Sequence, residues 1–198
     1  MYTKRGIQNL AMGAVGPLRS DQLGSLITAP GGGRLAEAAL NGRLFMGANQ
    51  TAVATSTTLN TTWTGLGLCN PTGSGKNLIL HEFSWGLSVV GPAAGLLALA
   101  ETTESGLAAS ITIRAAMWAK AVSVAILDDG ATVVAPIIIK PIAAFGTGAI
   151  TTWQGAGQQV ALIDGGIVIP PGRALLTDTT TSCSAAFQFG FLWEEVDA

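Results

Sequence analysis

The chain has 198 residues, of which 48% are hydrophobic and 11% charged, and its ten basic and twelve acidic residues give a net charge of −2. This length allows one domain with a sizeable core, or a domain plus an arm. Contact with a phosphate backbone needs clustered Lys and Arg, and residues 44–198 hold five basic residues against ten acidic ones, which excludes a nucleic-acid footprint on that part.

The low charge also bears on how the surface is used. Few charged side chains are available to keep apolar patches of different copies apart. We therefore expect much of the surface to be covered by other chains, with self-association through apolar patches. The alternative is a compact, Thr-coated monomer.

Residues 1–43 are predicted to form an extended N-terminal arm. They carry five basic and two acidic residues, a net charge of +3, and show no strand alternation. Pro30 and the three glycines after it form a flexible joint, and one short helix is predicted at Arg34–Asn41. Apolar residues spaced through an irregular segment are typical of anchors on a neighbouring surface, although a leader that packs on its own domain is the alternative. The candidate partner-binding residues are Leu10, Met12, Leu18, Arg19, Leu23, Leu26, Ile27 and Arg34.

Residues 44–198 alternate between strand and turn patterns. Leu44–Val53 and Thr57–Leu68 are Thr-rich strands, and Asn70–Gly75 is a turn. Asn77–Val90 alternates and is predicted to bury one face, which carries Ile79, His81, Phe83, Trp85, Leu87 and Val89. Shorter strands follow at 96–101, 110–115, 121–127 and 132–140, with Asp128-Asp129-Gly130 as a turn, and then at 158–163, 166–169 and 173–177.

The last strand, Cys183–Trp193, has aromatic residues at every second position. Phe187, Phe189, Phe191 and Trp193 therefore share one face, which must be buried. About ten strands without a long amphipathic helix predict an all-β fold, an antiparallel β-sandwich. A jelly-roll-like sandwich fits the number and length of the strands, and an immunoglobulin-like sandwich is the alternative.

Candidate sites for chemistry are few. Asn70–Asn77 resembles a phosphate-binding loop, but it lacks the first Gly and the final Ser or Thr and leads into a strand. His81, the one histidine, shares a face with Phe83 and Trp85 and is predicted to be packed or at an interface. The adjacent pairs Asp128-Asp129 and Glu194-Glu195 point to opposite faces, so neither is an acid/base dyad. The first pair is expected in a solvated turn.

We accordingly predict no catalytic residue, no metal site and no cofactor. Cys69 and Cys183 are expected to be free thiols. A signal peptide is not expected, because polar and Gly residues interrupt the stretch after Lys4 and Arg5. The longest apolar runs are too short for a membrane span, so no membrane partner is expected.

Three stretches together resemble a known group of proteins. They are GRLFMGANQ (42–50), TGLGLCNPTGSGK (64–76) and GGIVIPPGRAL (165–175), the last followed by FLWEE at 191–195. The pattern resembles poorly annotated structural proteins of tailed bacteriophages that have a β-sandwich body and an extended leader. Its motifs are turn signatures, so the resemblance bears more on fold and context than on role.

The resemblance implies a virion component, commonly a trimeric jelly roll that decorates or cements a capsid. It implies self-association as a homotrimer, binding to the major capsid protein or other virion proteins, assembly in the host cytoplasm and a place on the capsid surface. A tail or head-to-tail connector component, including a receptor-binding knob, is the alternative within this group. An enzyme acting on glycans would need two facing carboxylates about 5–10 Å apart, which the sequence does not place.

Overall fold

A computed structural model describes residues 35–87, 95–145 and 159–198. Ala38–Ala198 form one compact unit, which contains all the strands described. One short helix, α1 (Ala36–Leu40), precedes them. The described strands are β1 (Leu44–Ala48), β2 (Val53–Thr55), β3 (Thr62–Asn70), β4 (Lys76–Leu87), β5 (Gly95–Thr103), β6 (Arg114–Ala115), β7 (Ile126–Thr132), β8 (Ile137–Phe145), β9 (Gln159–Ile169), β10 (Arg173–Thr179) and β11 (Cys183–Asp197).

The strands form two antiparallel sheets that pack as a sandwich, as the sequence predicts. The six-stranded sheet has the order β6-β1-β11-β4-β9, and β2 also pairs with β11. The five-stranded sheet has the order β7-β3-β10-β5-β8. The C-terminal strand β11 therefore lies in the middle of its sheet, between β1 and β4.

Strands distant in sequence pair in a nested order. β5 pairs with β8, β4 with β9, β3 with β10 and β1 with β11. Successive pairs alternate between the two sheets, so the chain is folded back on itself as one long hairpin that wraps around the core.

The aromatic face of β11 is buried, which confirms the predicted register. Phe187, Phe189, Phe191 and Trp193 are each at most 2% exposed. Phe187 stacks on Phe189 with ring centroids 5.1 Å apart, and Phe83 of β4 lies 5.4 Å from Phe191. The five-stranded sheet contributes aliphatic side chains to the same core, namely Leu66, Leu68, Leu97, Leu99, Leu127 and Leu175.

A second, smaller cluster consists of Trp63, Val133 and Leu176, against which Leu107 packs. Leu176 follows the core residue Leu175 on β10, so it points to the opposite face of the five-stranded sheet. The Trp63 indole N–H donates to the carbonyl of Thr177 at 2.7 Å. The loop after β5 therefore covers part of this outer face.

The predicted register of β4 is correct for only part of the strand. Phe83 and Trp85 are buried as predicted, but Leu78 and Leu80 are buried in place of Ile79. The pairings of β4 with both β11 and β9 omit His81. This extra residue is a β-bulge, which shifts the alternation by one position.

The predicted turn at Asp128-Asp129-Gly130 is wrong, because these residues lie within β7. Asp128 is buried, and its carboxylate accepts hydrogen bonds from the Ala108 amide at 2.7 Å and the Ser110 hydroxyl at 2.8 Å. The carboxylate thus holds the preceding loop, and β7 ends only at Thr132. The expectation of a solvated pair is wrong for Asp128.

Other predicted strands also differ. Only Arg114–Ala115 of the predicted strand 110–115 is extended and paired. The amides of Ser110 and Ile111 both donate to the single carbonyl of Leu127, which is not a ladder pattern. The predicted strands 158–163 and 166–169 are one strand, β9, in which Asp164 and Gly165 have positive φ values of 55° and 77°.

Candidate functional site

A groove lies on the face of the six-stranded sheet that points away from the core. We call it the outer groove. It has a volume of about 830 Å³. Its lining is mainly apolar and includes Met46, Glu82, Ser84, Arg114, Trp118 and Leu192.

Strand register places four of these residues in one row across the sheet. Arg114 on β6 is opposite Met46 on β1, Met46 is opposite Leu192 on β11, and Leu192 is opposite Glu82 on β4. The row therefore has a cation at one end, two apolar side chains in the middle and an anion at the other end.

The floor beside this row is made of small residues. Ala48, Gly190 and Ser84 are opposite one another on β1, β11 and β4. A Cβ at Gly190 would lie 2.7 Å from the Ser84 hydroxyl oxygen, so the position has no room for a side chain without a shift. The small residues leave the space that forms the groove.

Trp118 stands at one end of the groove with 86% of its surface exposed. It lies in a turn closed by a hydrogen bond from the Lys120 amide to the Met117 carbonyl, 3.1 Å long. Ala119, the residue after it, has a φ of 58°, a conformation uncommon for a residue with a side chain. The turn presents a large aromatic side chain to solvent.

The two charged residues that line the groove, Glu82 and Arg114, have no partner in the described part of the chain. Within the described ranges, no hydrogen bond or ion pair engages the side chain of Glu82 or Arg114. Glu82 is also the one carboxylate among the described residues that line the groove. The facing pair of carboxylates needed for glycoside hydrolysis is therefore not found in this lining.

His81 is packed, as the sequence predicts. It is 8% exposed, and its Nε2 lies 3.5 Å from Oε2 of Glu194. Glu194 in turn lies 3.3 Å from the Arg43 guanidinium. Neither ring nitrogen of His81 has a hydrogen-bond partner among the described residues.

Glu195 has a structural role that the sequence does not reveal. It is buried and accepts hydrogen bonds from the Ser123 hydroxyl at 2.5 Å and the Val124 amide at 3.2 Å. These contacts join β11 to the segment before β7. The carboxylate is thus occupied, and its neighbour Glu194 engages a different set of groups, as predicted for adjacent residues on a strand.

Two buried groups outside the groove, Cys69 and Asp178, have raised pKa values. Burial raises the pKa of the Cys69 thiol to about 12, with smaller contributions from the carboxylates of Glu104 and Asp128. Cys69 is a free thiol, as predicted; the side chain of Cys183 lies outside the described residues. Burial also raises the pKa of Asp178, against a smaller lowering by its hydrogen bond from the Leu59 amide.

The segment resembling a phosphate-binding loop is a turn between β3 and β4. Asn70 is fully buried, and its amide nitrogen donates to the carbonyls of Lys76 at 2.7 Å and Ile169 at 2.8 Å. The Ser74 hydroxyl donates to the Asn70 side-chain oxygen at 2.6 Å. The polar groups of the segment hold the turn closed.

The predicted arm residues all lie outside the described part of the chain. They are Leu10, Met12, Leu18, Arg19, Leu23, Leu26, Ile27 and Arg34. Across residues 35–87, 95–145 and 159–198, no three His, Cys, Asp or Glu side chains are grouped so that they could hold a metal ion. In the same ranges, no helix has the length and apolar character needed to cross a membrane.

Sequence patterns do not identify the outer groove. They predict Glu82 and Ser84 on a solvated strand face, but they give no role to Arg114 or Trp118. The available signal is Trp118 itself, a large aromatic residue in the segment AAMWAK. This segment shows no strand alternation, and an aromatic residue there lacks an evident place in the core.

No protein family, curated protein or solved structure matches this chain.

Proposed function

We propose that the chain is a structural protein of a tailed-bacteriophage virion, acting as a capsid decoration or cement protein that binds the shell of major capsid protein. The observation that carries the proposal is the exposed apolar outer face of the six-stranded sheet. Met46 is 40%, Val160 51%, Leu162 68% and Val168 51% exposed on strands β1 and β9 of this sheet. Clustered exposed apolar residues mark surfaces that bind other proteins, and a decoration protein contacts both its own copies and the shell.

The strand order supports a jelly roll within this proposal. A jelly roll consists of eight strands in two sheets built from two Greek keys. The pairs β1–β11, β3–β10, β4–β9 and β5–β8 supply eight strands divided equally between the sheets. β2, β6 and β7 are then additions to this arrangement.

The sequence resemblance supplies the virion context and the homotrimer. The low charge of the chain is in keeping with both, because few charged residues oppose close packing of copies. Binding to the shell is assigned to the basic, apolar-spaced arm at residues 1–43. The sandwich then provides the body that packs against other copies.

The test is the amount of this protein in purified phage particles, measured against the major capsid protein by quantitative mass spectrometry. A copy number comparable with that of the major capsid protein is expected. Particles depleted of the protein should also lose their DNA at a lower temperature than complete particles. Absence from particles would overturn the proposal.

The outer groove favours a second candidate, a receptor-binding knob on the tail. An exposed Trp beside polar groups suits the stacking and hydrogen bonding that a host-surface glycan offers. A tail knob or connector component would be present in only a few copies per particle. The same measurement therefore separates the two candidates.

A further inference from the structure

We infer that two copies of the chain pair face to face through the outer face of the six-stranded sheet, around a two-fold axis that runs along the strands between β1 and β11. The inference concerns the chain alone and does not depend on the virion role. It rests on the order of residues across the sheet. When a second copy faces the first with this order reversed, opposite charges lie over each other and apolar side chains lie over apolar side chains.

The first part of this complementarity is electrostatic. Across the sheet the order is Arg114, Met46, Leu192, Glu82. A two-fold axis between β1 and β11 reverses the order in the facing copy, so Glu82 of the second copy lies over Arg114 and Leu192 of the second copy lies over Met46. Each contact then occurs twice, as in any isologous interface.

The two charges are too far apart to neutralise each other within one copy. Adjacent strands are about 4.8 Å apart, so the backbones of Arg114 and Glu82, three strand intervals apart, are separated by about 14 Å. No ion pair joins them in the described structure. A second copy supplies the missing counter-charge at both ends of the row.

The second part of the complementarity is apolar. Trp118 lies at the β6 side of the outer groove, 86% exposed. At the opposite side of the sheet, Leu162 is opposite Glu82 and Val160 is opposite Ser84, and these residues are 68% and 51% exposed. A two-fold axis along the strands keeps each residue at its own position along them, so Leu162 of the second copy lies one strand interval beyond Arg114, at the edge where the chain continues from β6 to Trp118.

A second copy is favoured over other occupants because its charged and apolar side chains complement the row from Arg114 to Glu82. A glycan would use Trp118 and the polar groups but would leave Val160 and Leu162 exposed. An unrelated protein would have to present the same charges in the same spacing. The sheet itself already presents them.

The test is a charge swap in the full-length protein, followed by sedimentation equilibrium at low ionic strength. Arg114→Glu and Glu82→Arg should each weaken pairing by about tenfold or more, because each places like charges opposite one another twice per interface. The double variant carrying both changes should restore pairing. Lys140→Glu, on the exposed part of β8 in the other sheet, is the matched control and should leave the mass unchanged.

The expected mass of the unaltered chain is an even multiple of the protomer mass, and the single variants should halve it. If the proposed homotrimer also forms, this change is from hexamer to trimer. Trp118→Ala should weaken pairing less than either charge variant does, because Trp118 lies at the edge of the paired face and large losses come from central positions. Thermal melts of all variants must show an intact fold.

An assembly whose mass is indifferent to both single variants would overturn the inference. A double variant that pairs no better than either single variant would also overturn it. The two charge changes compensate each other only when the partner is a second copy of the same surface. A glycan or another protein on this face predicts that second result.

Discussion

At the scale of single residues, the aromatic side chains of β11 belong to the buried core between the two sheets. Phe189 is 1% exposed and lies within stacking distance of Phe83 and Phe187, with ring centroids 5.9 Å and 5.1 Å away. Its neighbour Gln188 points to the other face and is exposed. The two positions therefore separate core packing from surface effects on one strand.

Phe189→Ala should lower the free energy of unfolding by about 3–5 kcal/mol, the usual cost of removing a buried aromatic ring. Gln188→Ala should change it by less than about 0.5 kcal/mol. Urea unfolding followed by tryptophan fluorescence measures both. Equal losses at the two positions would contradict the observed register of β11.

Asp178 offers a prediction about pH. Its Oδ2 accepts a hydrogen bond from the Leu59 amide at 2.9 Å, but its buried Oδ1 has no partner among the described residues. Burial raises its pKa above the ordinary value of 3.8. The folded state therefore holds this proton more tightly than the unfolded state, and the stability it contributes below pH 3.8 is lost as the pH rises through the folded pKa.

Asp178→Asn should accordingly stabilise the protein at pH 7, since the amide oxygen can still accept from Leu59 and no charge is buried. The gain in melting temperature over the unaltered chain should shrink as the pH falls towards 3. Melts of both proteins across this range measure the difference. A gain that is independent of pH would show that ionisation of Asp178 is not the cause.

At the scale of elements, two glycines differ in what surrounds them. Gly106, in the turn after β5, has a φ of 88°, and a Cβ there would overlap the carbonyl of Thr132 at the end of β7. Gly86, on β4, has open space where a Cβ would lie, with no atom within 4 Å. The turn and the strand end can approach closely because residue 106 has no side chain.

Gly106→Ala should therefore cost more than about 1 kcal/mol, the penalty for an alanine in the left-handed region, with the overlap adding to it. Gly86→Ala, the control, should lie within about 0.5 kcal/mol of the unaltered chain. Chemical denaturation measures both. A neutral Gly106→Ala would mean that the turn relaxes freely, and Leu107 would then be expected to leave the Trp63 cluster.

The same elements show how far sequence patterns reach. The period-two aromatic pattern of β11 and the turn at Asn70–Gly75 were predictable, because each depends on local residue order. The bulge at His81 was not, since it depends on how β9 and β11 both pair with β4. The outer groove was not predictable either. Arg114 and Glu82 are 32 positions apart in the sequence, and only the registers of three strand pairs place them at the two ends of one row.

At the scale of the whole molecule, the proposal assigns binding of the capsid to the arm and packing against other copies to the sandwich. The arm residues lie outside the described structure, so their proposed role rests on the sequence. Buried leucines contribute roughly 1.5–3 kcal/mol each, whereas exposed ion pairs contribute about 0–1 kcal/mol. Apolar anchors should therefore dominate the binding.

Leu23→Ala and Leu26→Ala should each reduce occupancy of particles more than Arg19→Glu or Arg34→Glu does. Occupancy is measured by adding the full-length variants to particles that lack the protein. Occupancy equal to that of the unaltered chain in all four variants would assign attachment to the sandwich instead.

The central position of β11 also has a consequence for biosynthesis. β1, β2 and β4 all pair with this strand, yet it is made after them. Before Cys183–Asp197 are made, β4 can pair with β9 and β1 with β6, but the strand that joins these two pairs is missing and the aromatic side chains of β11 are absent from the core. The complete six-stranded sheet therefore forms only after β11 has left the exit tunnel, and the apolar surface that waits for it is prone to aggregation in the meantime.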